Sequence, residues 1–154
     1  MQVGINVKAV AIGVAVDWIG TMVVSTVIGT VAGILLAVRG ASLEQLPTQL
    51  AGSVSFLLTS GFFGLLCTAA GGFVAAHIAR GKEMRHAFAM GVFSLLSGLL
   101  VAAIASDPSP LWYRLIFSLL VIPCALLGGY LRTVMKRSDI QPQPSVSQPP
   151  IPHP

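Results

Sequence analysis

Apolar positions gather into four long runs with short polar breaks between them. The runs cover about 9–38, 51–79, 87–105 and 111–131. None alternates with a period of two, as a half-buried strand would. At 1.5 Å per helical residue each run approaches or exceeds the ~30 Å hydrocarbon core of a bilayer. A backbone in lipid must satisfy its own hydrogen bonds, so these runs predict transmembrane helices. The first is the longest; as a helix it rises about 45 Å, so it tilts or extends past the core. It also far exceeds the apolar core of about 7–15 residues found in a signal peptide, and reads as a retained span.

The breaks carry their own signals. "GASLEQLPTQL" follows the first run, and "RGKEMRH" the second, where Gly81 suits a helix end. "SDPSP" precedes the fourth run, and its prolines stop any continuous helix. Pro123 falls inside the fourth run and predicts a kink. From 138 to 154 the chain turns to Pro, Gln and Ser, with too little apolar surface to order itself. The expected organisation is an all-α, polytopic four-helix membrane domain over 1–137, followed by a disordered Pro-rich tail.

Composition agrees with the pattern. The chain is 55% hydrophobic and 9% charged, whereas a soluble domain carries about 25% charged residues. Its net charge of +4 sits beside apolar runs, which points to anionic lipid headgroups rather than nucleic acid. Lys8, Arg80, Lys82, Arg85, Arg132, Lys136 and Arg137 fall on one predicted side, and only Arg39 and Arg114 on the other. The positive-inside rule then puts both termini and the break near 80–86 in the cytoplasm, with Arg80, Lys82, Arg85, Lys136 and Arg137 as headgroup and topology signals. Cys67 and Cys124 lie within apolar runs and read as inert thiols, with no metal-type spacing.

Small residues recur at helical spacing. Gly61, Gly64, Thr68, Gly72, Ala75 and Ala79 share one face of the second helix, and Ala87, Gly91, Ser94, Gly98, Ala102 and Ala105 one face of the third. The first helix carries Gly13, Asp17, Thr21, Ser25, Gly29 and Gly33. Lipid is as apolar as leucine, so helices in a bilayer associate where small residues let their backbones approach. Gly29, Gly33, Gly61, Gly64, Gly72, Gly91 and Gly98 are therefore the expected packing positions. They would pack the monomer, a homo-oligomer, or another membrane protein.

Asp17 is the acidic residue inside an apolar run, and such residues have a partner or a role. Counted from Val38 it lies about 31 Å in, near the inner boundary; counted from Lys8 it lies about 13 Å deep. The first count makes Arg132 and His77 its best partners, with Arg85 and His86 nearby. The expected role is an ion pair that pins the first helix; the alternative is a carboxylate that binds a proton or a cation. His77 and His86 lack a third metal ligand. Glu83 stands among bases and reads as solvated. No nucleophile elbow, zinc-helix motif or carboxylate pair is present, so neither an enzyme nor a cofactor is expected.

"GGFVAAHIARGKEMRHAFAMG" and "GVAVDWIGTMVVS" resemble stretches of a group of small bacterial four-helix integral membrane proteins. The likeness covers the first three helices and implies a bacterial inner-membrane location, but supplies no substrate and no catalytic residue. Asp17 alone is similar to the acidic first-helix residue of small multidrug-resistance transporters. That likeness implies proton-coupled export; the shortage of aromatic residues and the strong charge bias depart from it. The sequence thus favours a structural or accessory membrane protein, with a proton-coupled carrier using Asp17 as the alternative.

Overall fold

The structure, a computed structural model, describes residues 5–79, 82–105 and 109–140, and of 137–140 the backbone alone. It is all-α, with five helices among the described residues: α1 Val7–Val38, α2 Leu46–Gly52, α3 Val54–Ala79, α4 Glu83–Ile104 and α5 Leu111–Ile140. Among the described residues four stretches are long and apolar enough to cross a membrane: α1, α3, α4 and Leu111–Lys136 of α5.

The boundaries follow local chemistry. Asn6 caps α1, its side chain accepting from the Ala9 N–H at 3.4 Å. α1 ends with Gly40 at φ 90°. There the Gly40 N–H donates to the Ala37 carbonyl and the Ala41 N–H to that of Leu36, at 2.9 and 3.1 Å. Glycine reaches this left-handed turn without the Cβ clash other residues meet. The first polar break then forms α2, with Pro47 in its opening turn, where a missing N–H costs nothing. Ser53 separates α2 from α3, and its Oγ accepts from the Phe56 N–H at 3.4 Å. The second span accordingly starts at Val54 and not at 51. α4 starts at Glu83, a turn before the expected 87, after Lys82 in the left-handed region (φ 54°). α5 runs unbroken through Pro123 and on to Ile140, past the expected ends at 131 and 137. Gly81, and the tail over 141–154, lie outside the described residues.

Successive spans alternate in direction, so the bundle has two ends. The basic end holds the start of α1, the α3–α4 junction and the end of α5. The far end holds Arg39 and Arg114. α3 and α4 touch each other, and each packs against both α1 and α5; α1 and α5 do not meet. Large apolar side chains point outward, among them Ile19, Val23, Val27, Leu96, Leu119 and Leu131. The largest side chain wholly enclosed is Met90; the other fully buried apolar residues are alanines at 9, 75, 76, 87 and 125. A small-residue core under a greasy surface is the arrangement expected when lipid is the solvent.

Packing differs between the two halves. Toward the basic end the backbones nearly touch. A Cβ on Gly13 would stand 2.7 Å from the Gly71 carbonyl oxygen and 2.8 Å from the Ala75 Cβ. One on Gly72 would collide with the Ala125 backbone, one on Gly128 with the Ala69 backbone, and one on Gly91 would stand 2.9 Å from the Ala125 Cβ. Toward the far end the helices part. There Gly61 is covered by the Phe117 ring, while a Cβ on Gly29, Gly33, Gly64 or Gly98 would meet nothing within 4 Å.

Candidate functional site

Where the helices part, they enclose a cleft of about 430 Å³. All four spans line it. Phe117, Leu99 and Val101 supply apolar wall; Thr21, Ser25, Ser60, Thr68, Ser94 and Ser118 supply hydroxyls. Small residues make the space: Gly64 and Gly98, which pack against nothing, both border it.

Asp17 lies at its basic-end floor and is 6% exposed. The Thr68 hydroxyl, itself buried, donates to Asp17 Oδ1 at 2.9 Å. It can turn instead to the Gly64 carbonyl at 3.2 Å, one helical turn back. Thr21 and Ser94 present hydroxyls to the same carboxylate. Ser94 does so outside hydrogen-bond geometry, and its buried Oγ has no partner among the described residues. Ser60, farther up the cleft, is in the same condition.

The level of Asp17 within the bundle is fixed by its neighbours. Asp17 lies about 15 Å into α1, Thr68 about 16 Å before the end of α3, and Ser94 about 16 Å into α4. Three helices agree on a level near mid-span. Along α1 this level is about 13 Å from Lys8 and about 31 Å from Val38, so in the bundle Asp17 stands beside the middle of α3 and α4.

The expected partners lie elsewhere. His77 is exposed and stacks on Phe73, ring centroids 6.3 Å apart. Arg132 is half-buried near the basic end, on the Glu83 side. His86 is buried and closes the start of α1: its Nε2 accepts from the Asn6 N–H at 2.9 Å, and its Nδ1 lies 3.1 Å from the Lys82 carbonyl. These partners require the neutral ring with its proton on Nδ1. Glu83, expected to be solvated, pairs with Lys136 at 2.7 Å and ties α4 to α5. Lys82 and Arg85 are exposed at that end, and Arg137 stands in the last turns of α5; Arg80 lies outside the described residues. Cys67 and Cys124 are free thiols, and no three His, Cys, Asp or Glu side chains converge among the described residues.

Of the expected packing glycines, Gly61, Gly72 and Gly91 are covered by neighbouring helices, and Gly29, Gly33, Gly64 and Gly98 are not. Gly71, Gly128 and Gly129 make closer contacts than several of those chosen; the doubled glycines at 71–72 and 128–129 were the available signal. Arg114 borders the cleft near its far end and donates from Nη2 to the Ala102 carbonyl at 3.4 Å.

No family model, curated protein or solved structure matches the chain.

Proposed function

We propose that the protein is a small multi-pass integral membrane protein of the accessory kind, a four-span body that holds or regulates a membrane partner without catalysis of its own. The observation that carries this reading is the uncovered Gly29–Gly33 pair on α1. Its spacing is that of a close helix crossing, yet no helix among the described residues covers it. In this reading the basic end and both termini face the cytoplasm across a bacterial inner membrane. Lys82 and Arg85 then meet anionic headgroups, each worth about 1 kcal/mol near the surface.

A Gly29→Leu, Gly33→Leu double variant tests it. Neither new side chain meets a neighbour, so thermal stability in mild detergent should match the parent. Purification from native membranes with mass spectrometry should show the parent with a stable companion, a second copy included, and the variant without it. A parent chain that runs as a bare monomer overturns the reading.

The cleft over Asp17 favours a second reading, a small carrier that uses this carboxylate for a proton or a cation. Its signature is solute or proton movement by the purified protein in liposomes, abolished by Asp17→Asn. Liposomes that stay silent with the parent chain rule it out.

A further inference from the structure

We propose that the floor of the cleft is a binding site for a monovalent alkali cation, held by Asp17, Thr21, Thr68 and Ser94. The proposal deepens the second reading in its use of Asp17, but requires only that the ion bind, not that it move.

Charge is the first argument. Asp17 is buried near mid-span, where an uncompensated charge is costly. Of the described residues lining the cleft, the one basic side chain is Arg114. It is bonded to Ala102, about 12 Å along α4 from Ser94. Among the described residues no ion pair neutralises the carboxylate. A single positive charge does so; a divalent ion would leave a net positive charge in the same place.

Ligand chemistry is the second. A carboxylate and three hydroxyls from three helices converge on the floor, with the Cys67 thiol beside Thr21. Oxygen donors suit hard cations, and no set of three His, Cys, Asp or Glu side chains converges among the described residues, as a site for a softer metal would require. Thr68 already donates to the carboxylate, so its oxygen keeps lone pairs for a metal.

Ser94 is the third and independent observation. It is 8% exposed, lines the cleft beside Asp17, and its hydroxyl has no hydrogen-bond partner among the described residues. A buried hydroxyl left without a partner is costly. A cation between Ser94 and Asp17 would engage its lone pairs. A proton on Asp17 would remove the charge but needs one acceptor, and leaves the convergence of the other hydroxyls without a use. The open far side of the cleft gives water room to complete the coordination shell.

Thermal unfolding of the full chain in detergent, followed by Trp fluorescence at pH 8, tests the site. Trp18 borders the cleft next to Asp17 and supplies a local signal. Sodium or potassium chloride is titrated against choline chloride at constant ionic strength. A ligand that binds the folded state alone raises its stability with concentration. The expected result is a saturable upward shift of Tm with sodium or potassium and none with choline. Asp17→Asn should remove that shift, and Ser94→Ala should require about tenfold more cation for it. Thr21→Val, half-buried at the margin, carries the same tenfold expectation should Asp17→Asn fail to fold. Equal shifts with choline, a response only to pH, or an undiminished response in Asp17→Asn or Ser94→Ala would each overturn the site. Failure here is distinct from failure of transport, which is read in liposomes.

Discussion

At the scale of single residues, a glycine's role follows from what stands opposite its missing Cβ. Gly128 lies on the Ala69 backbone and Gly98 borders open space, though both are helical glycines in apolar spans. Gly128→Ala should therefore destabilise the bundle by about 1–3 kcal/mol, as overpacking does. Gly98→Ala should be neutral or stabilising by up to about 1 kcal/mol, because alanine loses less backbone freedom in a helix. Unfolding of the two variants in mild detergent checks the contrast, and equal effects would contradict the packing described. Asp17 teaches the same lesson about context. Its apolar run marks it as unusual, but its surroundings are defined by residues remote in sequence, such as Thr68, 51 positions away, and Ser94.

At the scale of elements, the apolar pattern marked the four spans and blurred their ends. Hydropathy averages over turns, whereas ends are set by single groups: Ser53 before α3, Gly40 after α1, the left-handed Lys82 before α4. α2 was illegible because seven residues with Pro47 in the first turn hold too little periodicity to separate a helix from a loop. α5 outran its expected end because Arg132, Thr133 and Lys136 are polar but helix-compatible. The Lys136–Glu83 pair then holds its last turns against α4. His86 shows an element joined by a buried polar link: it fastens the start of α1 to α4 through the Asn6 N–H. Its place after a basic run gave no hint of that partner.

At the scale of the whole molecule, one half is closed and the other parted. Gly13, Gly71, Gly72, Gly91, Gly128 and Gly129 bring backbones together near the basic end. Beyond Asp17 the separation of α1 from α5 leaves the cleft. Among the described residues, such a body is closely packed at the basic end and holds a cleft toward the far end. Its orientation is testable with single cysteines in a background where Cys67 and Cys124 are alanine. Ser42→Cys should react with an impermeant thiol reagent on intact cells. Lys82→Cys should react only after the membrane is opened. The reverse pattern would invert the assigned orientation.

The sequence by itself determined the all-α class, the four long apolar helices and the singular carboxylate. Each follows from what the chain repeats locally: apolar length, helical spacing, and the cost of charge among apolar neighbours. Tertiary structure alone decided which glycines touch, which level of the other helices Asp17 meets, and that hydroxyls from three helices gather around it. Those facts depend on the axial offset between helices. That offset is set by close backbone contacts between residues far apart in the chain, such as Gly13 with Gly71 and Gly72 with Ala125, and no local pattern encodes it.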